Sequence, residues 1–394
     1  MADGDLLPGA RVALVHDWLT GMRGGEKVLE VIAELFPGAD LFTLLHVRGS
    51  VSPVIERRRV RTSFIQRLPG IYSKYRWALP LFPRAIESFN FSGYDLVLSS
   101  SHCVAKAARA GKHALSVCYC HTPMRYIWSS FDEYFGRQPP PLRWMIGRVA
   151  ARLRRWDRES ASRVHVWFAN SSAVRRRILD CYGVPGGAVE VIHPPVDLAL
   201  FRIGTVGEPP AGLASRSYDL VVSALVPYKR VDLAVAAARR AGRRLVVVGK
   251  GPEEARLRRL ATQVPGRGEV RFLGEVTAAQ LPALYAHCRA FVFPGLEDFG
   301  ITPLEATACG RPVVAFRAGG ALDTVLEGLN GIFFAEQSVE TLAAALGDAR
   351  LDGVWDADAM GAHAARFGRE RFRREFAARL GEAWARRERG GAHA

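Results

Sequence analysis

Short apolar runs, separated by stretches with helical spacing, are the feature that most limits how this chain can fold. The runs lie at 12–15, 41–45, 96–98, 115–120 and 164–169, and again at 220–225, 245–248, 270–273, 290–293 and 313–316. Runs that are apolar on both faces are typical of strands buried in a parallel sheet, and alternation of such strands with helices forms doubly wound sheets. Because the pattern occurs twice, we expect an α/β protein with two such sheets.

A proline-rich stretch separates the two sets of runs. It begins with Ile-His-Pro-Pro at 192–195 and continues to Pro209-Pro210, a composition that favours a linker. The length of 394 residues also suits two domains of common size. We therefore place one domain at 1–195 and a second at 196–369. A last helical stretch is expected at 364–387, and the C-terminal residues from about 370 to 394 could pack back on the first domain.

The cysteines and the N-terminus bear on the cellular compartment. No two cysteines form a Cys-x-x-Cys pair, and several lie in apolar runs such as Val117-Cys118-Tyr119-Cys120. This pattern favours reduced thiols in buried strands over disulfides or a zinc site. The sequence Met-Ala-Asp-Gly-Asp lacks the regions of a signal peptide, and no apolar run reaches the ~18 residues of a membrane span. We expect a cytoplasmic protein whose membrane contact, if any, is peripheral.

The chain is strongly basic, with 54 Lys and Arg against 39 Asp and Glu and a formal net charge of +15. Such a charge attracts nucleic acid, acidic lipid or phosphorylated ligands, although a GC-rich genome would also raise the Arg content. Basic and aromatic residues are mixed from Arg57 to Phe89, including Lys74 and Arg76. That mixture fits an anionic membrane surface, and equally an ordinary loop and helix cover with solvated arginines.

The segment from Phe293 to Glu305 holds the strongest chemical signal. A strand should end at Phe293, and Thr302, Pro303 and Glu305 then suit the N-cap, first and third positions of a helix, which is a capping box. The N–H groups and dipole at the helix start would bind an anion such as a diphosphate, at the strand ends where open sheets bind ligands. From these residues alone, Glu305 could be only a cap and Glu297 a solvated acid.

Glu297 and Glu305 are separated by seven residues. With the surrounding Asp-Phe-Gly-Ile-Thr-Pro-Leu-Glu-Ala, they resemble the EX7E motif of retaining GT-B glycosyltransferases. More narrowly, the chain is similar to family 4, which includes bacterial mannosyltransferases of O-antigen and exopolysaccharide assembly. Segments along nearly the whole chain carry the resemblance: His16-Asp17-Trp18, Gly24-Gly25-Glu26-Lys27, Cys120-His121-Thr122-Pro123, Asn170-Ser171-Ser172, Val226-Pro227-Tyr228-Lys229-Arg230, Val248-Gly249-Lys250 and Gly319-Gly320-Ala321-Leu322. It implies the GT-B fold, in which two Rossmann-like domains face each other across a cleft.

The resemblance also implies roles for residues of the second domain. Glu305 would accept hydrogen bonds from the donor ribose, and Glu297 would face the donor sugar. Lys229 would stabilise the charge that grows on the leaving diphosphate, and Gly249 would add a neutral contact. Many family members carry an Arg a few residues before this Lys, where this chain has Ser223-Ala224-Leu225, so Arg230 is a candidate substitute. Sugar hydroxyls or phosphate would be held by the backbone N–H groups of Phe299, Gly300, Ile301 and Thr302.

In the first domain, the resemblance assigns His121 to the active site, where it would touch the donor sugar near the reacting carbon without acting as a general base. Gly24 and Gly25 would let the backbone approach a phosphate or sugar closely, unless they form only a flexible turn. Asp356-Ala357-Asp358 spells the DxD of metal-dependent transferases, but it lies in a loop-like stretch with no strand before it. We interpret these two acids as solvated and expect neither a metal nor a cofactor.

The implied function is a retaining, metal-independent transfer of a hexose from a nucleotide diphosphate sugar to a glycan or lipid-linked oligosaccharide. Among the possible donors and hexoses, the resemblance favours GDP-mannose as the donor and mannose as the transferred sugar. An epimerase or phosphorylase of GT-B fold, acting on a nucleotide sugar or glucan, remains an alternative. So does a basic protein that binds nucleic acid or membrane without catalysis, although no nucleic-acid-binding module is recognisable and we expect no nucleic-acid partner. A dinucleotide dehydrogenase is disfavoured, because no GxGxxG follows an early strand.

Overall fold

The computed structural model of the protein describes residues 5–129, 131–136, 138–204 and 207–391. This description leaves out residues 1–4, for which no signal peptide was expected, and residues 392–394 of the C-terminal stretch. It also leaves out the side chains of Lys74 and Arg76. The chain divides into two compact units, one formed by Met1–Pro195 with Glu370–Ala394 and the other by Val196–Arg369. Each unit is built around its own parallel sheet.

The first unit has a sheet in which the described strands are ordered β3-β2-β1-β4-β5-β6-β7. All of its strand pairs are parallel, with helices in the connections. Its elements, in chain order, are β1 (Val12–His16), α1 (Gly24–Leu35), β2 (Asp40–Thr43), α2 (Pro53–Glu56), β3 (Val60–Thr62), α3 (Ile71–Lys74), α4 (Phe82–Glu87), β4 (Leu96–Ser101), β5 (Leu115–Cys120), α5 (Phe131–Phe135), α6 (Pro140–Ala161), β6 (Val166–Ala169), α7 (Ser172–Tyr182) and β7 (Val189–Val191).

The second unit has a sheet in which the described strands are ordered β10-β9-β8-β11-β12-β13. Its elements are β8 (Asp219–Val222), α8 (Val231–Ala241), β9 (Leu245–Val248), α9 (Glu254–Gln263), β10 (Val270–Gly274), α10 (Leu281–His287), β11 (Ala290–Phe293), α11 (Ile301–Ala308), β12 (Val313–Phe316), α12 (Ala321–Thr324), β13 (Gly331–Phe334), α13 (Val339–Leu346) and α14 (Ala357–Ala365). A final helix, α15 (Arg369–Gly391), follows. In both sheets the chain starts at a central strand, adds strands toward one edge, and then returns to the centre and adds strands toward the other edge. This order is typical of doubly wound folds.

The apolar runs predicted the central strands because those strands are buried on both faces. In β1 and β5 every residue is buried, as expected for a sheet covered by helices on both sides. β4 continues past the apolar run at 96–98 through three buried serines, because its backbone pairs with both β1 and β5 along that length. β3, β7 and β13 were not predicted; β3 and β7 are three-residue strands at the two ends of their sheet.

The C-terminal stretch differs from the single helix expected at 364–387. α14 ends at Ala365 and α15 begins at Arg369, with an isolated parallel bridge between Gly368 and Val196 in the gap. The N–H of Val196 donates to the carbonyl of Phe367 at 2.8 Å. The extended pairing of these residues replaces helical hydrogen bonds and therefore interrupts the helix.

Beyond this break, α15 packs on the core of the first unit. Phe372, Phe376, Leu380 and Ala383 are buried in the same cluster as Tyr119 of β5. The ring centroids of Tyr119 and Phe372 are 5.7 Å apart. The helix thus closes one face of the first sheet with residues distant in sequence.

All six cysteines are buried, and no disulfide bond occurs in the part of the chain that the structure describes. The expectation that they lie in strands holds for Cys118 and Cys120 in β5, whereas Cys181 lies in α7 and the others lie between elements. No described helix combines the length and apolar character needed to cross a membrane.

Candidate functional site

Three strands of the first unit end side by side in polar residues. β1 ends at His16, opposite Ser100 of β4, and His121 directly follows β5. The Ser100 hydroxyl lies 3.1 Å from Nδ1 of His16 and 2.8 Å from Nε2 of His121, so it bridges the two buried rings. Since carboxyl ends of parallel strands meet at one edge of a sheet, the topology brings together residues far apart in sequence.

Asp17 anchors this edge. Its carboxylate is fully buried and accepts four backbone hydrogen bonds of 2.6–2.9 Å from the N–H groups of His102, Cys103, Val104 and Ala105. Four donors to one carboxylate fix the chain after β4. Nδ1 of His102 lies 3.2 Å from the same carboxylate, which places a third imidazole beside His16 and His121. We call His16, His102 and His121 the histidine cluster.

Gly24 and Gly25 form the first turn of α1 rather than a flexible turn, and neither has a positive φ. A Cβ at Gly25 would lie 3.5 Å from Nε2 of His121, so glycine keeps side-chain bulk away from that ring. Glu26, the next residue, accepts from the N–H of Arg23 at 3.1 Å. Its Oε1 lies 4.0 Å from Nε2 of His16, an atom that has no hydrogen-bond partner in the described structure.

Burial sets the charge of this edge. It lowers the pKa of His121 well below the ordinary value, and the neighbouring His102 and His16 lower it further. Burial also lowers the pKa of His102, and the attraction of Asp17 offsets only part of that effect. Burial, the largest single influence, would raise the pKa of Glu26, but His16, His102 and a backbone hydrogen bond together outweigh it and the pKa is lowered. At neutral pH, His121 is therefore uncharged, which suits a hydrogen-bonding role better than a role as an acid.

In the second unit, the loop after β11 meets the turn after β8. The carboxylate of Glu297 forms an ion pair with Nζ of Lys229, and both side chains are largely buried. Lys229 ends a 3-10 helix at Pro227–Lys229, and its Nζ also lies 5.3 Å from the ring centroid of Tyr228. A Cβ at Gly295 would approach the carbonyl of Tyr228 to 2.9 Å, so glycine permits the close contact between these two segments.

Arg230 is oriented differently from Lys229. It adopts the left-handed conformation, with φ 51° and ψ 37°, and its Nε lies 3.3 Å from Oδ1 of Asp232. No regular helix runs through Lys229 and Arg230, because a 3-10 turn ends at Lys229 and α8 begins at Val231. The sharp change of backbone at Arg230 separates the two cations.

The helix that carries Glu305 begins earlier than predicted. Gly300 is the N-cap residue of α11, with φ 93°, and Thr302 and Pro303 lie inside the first turn. The expected capping box at Thr302 and Glu305 is therefore wrong. Pro303 is tolerated there because the first N–H groups of a helix lack helical partners. The left-handed glycine turns the chain into the helix two residues early.

Glu305 is buried, and it accepts a hydrogen bond of 2.8 Å from the hydroxyl of Tyr285 in α10. Phe299, just before the helix, is also buried and packs with Leu304 and Phe367. Ile301 and Thr302 are partly exposed. The helix start is thus the part of this segment that a ligand can reach, and Glu305 lies more than one turn further along α11.

Two glycines behind the 293–300 loop escaped the site prediction, although Gly319-Gly320 was part of the resemblance. The N–H of Gly320 donates to the carbonyl of Glu297 at 2.8 Å. A Cβ at Gly320 would collide with the backbone of Phe299, and one at Gly319 with the carbonyl of Glu297. Gly249 has φ 125°, and a Cβ there would collide with the carbonyl of Ser223. The sequence signal for Gly319 and Gly320 was the presence of two adjacent glycines directly before a helix.

Residues 356–358 are not the loop that we expected. Asp356 is the N-cap of α14 and accepts from the N–H of Ala359 at 3.0 Å, while Asp358 lies in the first turn. Both side chains are exposed, and acids at a helix start are explained by capping. In the described residues, no group of three or more His, Cys, Asp or Glu side chains is placed to hold a metal ion.

Besides Gly319 and Gly320, the site prediction missed Ser100 and His102 in the first unit and Tyr285 in the second. Ser100 and His102 follow the apolar run at 96–98, and the position of polar residues just after a buried strand was the available signal. Tyr285 gave no signal, because its contact with Glu305 joins helices 20 residues apart in sequence.

Two family models match successive parts of the chain. Residues 23–200 match Glycosyltransferase Family 4, and residues 215–366 match Glycosyl transferases group 1. The first match contains His102 and His121 of the histidine cluster, and the second contains Lys229, Glu297 and Glu305.

Curated relatives match less than half of the chain. A GDP-mannose-dependent alpha-(1-6)-phosphatidylinositol monomannoside mannosyltransferase of Mycolicibacterium smegmatis is 34% identical over 203 residues, which are 46% of this chain and 52% of the relative. A D-inositol 3-phosphate glycosyltransferase of Acidothermus cellulolyticus is 32% identical over 200 residues, covering 45% of this chain and 44% of the relative. The chain spans about half the length of the curated relatives it matches.

Solved structures resemble the chain over almost its full length. Anabaena HepE in complex with UDP has a TM-score of 0.67 at 20% identity, covering 94% of this chain and 100% of that one. The lipopolysaccharide outer core galactosyltransferase WaaB has a TM-score of 0.66 at 17% identity, covering 95% and 99%. At these identities the likeness shows the fold alone, which is GT-B. The two family matches, over residues 23–200 and 215–366, show that the chain belongs to glycosyltransferase family 4.

Proposed function

We propose that this protein transfers a hexose from a nucleotide diphosphate sugar to a glycan or lipid-linked acceptor, with retention of the anomeric configuration and without a metal. The observation that carries the proposal is the ion pair of Lys229 with Glu297, a residue of the loop that leads into α11, whose N-cap Gly300 has no side-chain cap. A lysine supplies a charge for a diphosphate, and the N–H groups at a helix start supply neutral donors for it.

In this mechanism, Lys229 binds the diphosphate and stabilises the negative charge that develops as the glycosidic bond breaks. The N–H groups of Ile301 and Thr302 support the same phosphate or the sugar hydroxyls. Glu297 holds Lys229 before the donor binds and then faces the donor sugar. Glu305 accepts hydrogen bonds from the ribose hydroxyls, with Tyr285 fixing its carboxylate. No group of the protein takes a proton in this scheme, because the leaving phosphate accepts the proton of the acceptor.

His121 contributes a neutral hydrogen-bonding edge near the reacting carbon. Its pKa is lowered well below the ordinary value by burial and by the neighbouring imidazoles, so it carries no charge at the working pH. A neutral imidazole can hold a sugar hydroxyl without repelling the positive charge that builds up on the sugar in the transition state. Gly25 leaves this ring without a side chain above it.

GDP-mannose is our first choice of donor. The support is the name of the matched mannosyltransferases, which are called GDP-mannose-dependent. Against it stand the relatives named as D-inositol 3-phosphate glycosyltransferases and the neighbour solved with UDP. We place the reaction on the cytoplasmic side, in keeping with six buried cysteines without disulfides in the described chain.

A panel of GDP, UDP, ADP and their sugars, measured by thermal shift, tests the donor. A ligand at 100 times its Kd should add about 2.7 kcal/mol of stability. GDP and GDP-mannose are expected to shift the protein most, and a larger shift with UDP or ADP would overturn the choice of base.

The reaction itself is tested with the donor that binds best. Proton NMR of the product is expected to show the anomeric configuration of the donor, and turnover is expected to survive a chelator. An inverted linkage, or activity lost to chelator and restored by Mn²⁺, would contradict the mechanism. Donor turnover without any acceptor, or turnover of free phosphate, would instead favour the epimerase or phosphorylase.

A further inference from the structure

The N-terminal part of α6, residues 140–149, carries apolar side chains that the rest of the described chain leaves uncovered. Trp144 is 66% exposed and Met145 54%, and Leu142 and Val149 are exposed as well. Large apolar side chains seldom gather on the surface of a protein without a partner. We call this ten-residue segment the α6 protrusion.

The apolar stripe of α6 explains why the protrusion lacks cover. Leu142, Met145 and Val149 lie on one helical face with Ala150 and Leu153, at spacings of three and four residues. Ala150 and Leu153 are buried in the core cluster of the first unit. The stripe therefore continues past the end of the core that it covers, over a length of about 15 Å.

The charge around the protrusion indicates what covers it. Residues 138–156 contain five arginines and no acidic residue. Arg143, Arg148 and Arg152 are exposed; Arg143 forms an ion pair of 2.7 Å with the exposed Asp132, and the guanidinium of Arg148 lies 5.1 Å from the ring centroid of Trp144. A helix that presents tryptophan and aliphatic side chains among arginines suits the boundary between lipid headgroups and acyl chains. The same features disfavour a soluble acidic partner, because such a partner would pair with the arginines and leave the apolar side chains exposed to water.

A second part of the same unit has the same character. Trp77 is 86% exposed and Tyr72 56%, and Leu81 is also exposed. Residues 57–86 contain eight basic residues and no acidic one. Of these, Arg58 is occupied by backbone carbonyls, including that of Phe36 at 2.6 Å. This segment shares the core cluster into which Ala150 and Leu153 pack.

We propose that the α6 protrusion inserts into the headgroup region of an anionic lipid bilayer, with Trp144 and Met145 entering the apolar boundary and the arginines contacting lipid phosphates. The segment around Trp77 adds a second contact. This surface does not depend on sugar transfer: it would hold the protein on a membrane whatever the donor. It differs from the expectation of a surface at 57–89 alone, because it assigns the insertion to a helix that the sequence did not single out.

Co-sedimentation with vesicles, measured without donor or acceptor, tests the proposal. The full chain should bind vesicles of phosphatidylglycerol and phosphatidylcholine, bind pure phosphatidylcholine weakly, and lose binding as salt rises. The double variant Trp144→Ser with Met145→Ser should bind roughly tenfold or more weakly. Val354→Ser is the matched control, because Val354 is 97% exposed in the second unit and should not affect binding.

Lipids with brominated acyl chains provide a spectroscopic measurement. They should quench part of the tryptophan fluorescence of the wild type, and Trp144→Phe should remove much of that part while still sedimenting with vesicles. Equal binding by the wild type and the double variant would overturn the proposal, as would no binding at low salt. A dimer that the double variant converts to a monomer, with vesicles ignored, would show instead that the face joins two copies of the chain. Sugar transfer to a water-soluble acceptor is scored separately, so failure here leaves the proposed function standing.

Discussion

Lys229 carries the largest expected effect of any single residue, because its ammonium group pairs with Glu297 in the loop before α11 and would bind the diphosphate of the donor. We expect Lys229→Ala to lower turnover by at least about 10²-fold, equivalent to about 2.7–4 kcal/mol of transition-state stabilisation. Arg230→Ala should cost much less, because the left-handed backbone turns Arg230 toward Asp232. Steady-state kinetics of both variants with the cognate donor measure the difference.

The opposite outcome is informative at the same position. Near-normal turnover in Lys229→Ala together with a collapse in Arg230→Ala would make Arg230 the phosphate ligand. Normal turnover in both variants would remove the donor from this part of the second unit and contradict the proposed function.

Glu305 is expected to serve the donor as well as the fold. Glu305→Ala should weaken donor binding by at least about tenfold through loss of a charged acceptor. It should also destabilise the protein by about 1–3 kcal/mol, because the buried hydroxyl of Tyr285 loses its partner. Tyr285→Phe is the matched variant, since it removes the same hydrogen bond and keeps the carboxylate. If both variants lower donor affinity equally in calorimetric titrations, the role of Glu305 is only structural.

Ser100 is expected to position His121. Ser100→Ala removes the hydroxyl that lies between Nδ1 of His16 and Nε2 of His121, and the freed imidazole can change its orientation or tautomer. We expect kcat to fall by about tenfold or more with a smaller change in the donor KM. Ser99→Ala is the control in the same strand, because Ser99 donates to the carbonyl of Val117 instead. Equal loss of kcat in the two variants would indicate general damage to β4.

At the scale of elements, the packing of the Gly319-Gly320 turn against the 293–300 loop is the critical contact. Gly320→Ala would force its Cβ into the backbone of Phe299 and so displace the loop that carries Glu297. We expect turnover to fall by about 10²-fold, in line with the sensitivity of catalysis to small displacements. The thermal midpoint should fall too, because the loop backbone must shift.

Gly381→Ala is the matched control for that substitution. Gly381 lies inside α15, and a Cβ there would meet no atom within 4 Å. Alanine is the better helix former by roughly 0.8–1 kcal/mol, so this variant should be slightly more stable and fully active. A loss of activity there similar to that of Gly320→Ala would argue against a specific role of the turn.

For the whole molecule, the histidine cluster predicts how stability depends on pH. Burial lowers the pKa of His102 and His121 in the folded protein, so the unfolded chain binds more protons below its ordinary pKa of about 6.5. Stability should therefore be full above that pH and fall as the pH drops through it, by up to about 2 kcal/mol for one histidine between pH 7 and 5. The lowered pKa of Glu26 acts only in more acidic solution.

Thermal unfolding at pH 7 and pH 5 measures this dependence. His121→Asn removes one of the imidazoles whose pKa is lowered by burial, so its midpoint should fall less on acidification than that of the wild type. An equal fall in both proteins would mean that His121 does not contribute. His113→Asn, at an exposed histidine, should leave the dependence unchanged.

Sequence determined the elements whose signal is local. Buried strands such as β5 and β9 were predicted with their bounds, because residues covered on both faces are mostly apolar along the strand. The family resemblance rested on the same kind of information, since residues such as Glu297 and Glu305 keep a fixed spacing whatever surrounds them. The family and the GT-B fold followed from these patterns, while the roles of the site residues stay predictions.

Tertiary structure decided what depends on contacts between distant residues. Gly300 rather than Thr302 begins α11, because a left-handed glycine can enter the helix earlier than the capping pattern indicated. Ser100 joins His16 and His121 only because β1, β4 and β5 end at one edge of the sheet. α15 reaches the core of the first unit through side chains that are apolar at helical spacing, a pattern that cannot specify which surface it will cover. Local composition fixes an element, and the choice among its possible partners is made by packing over the whole chain.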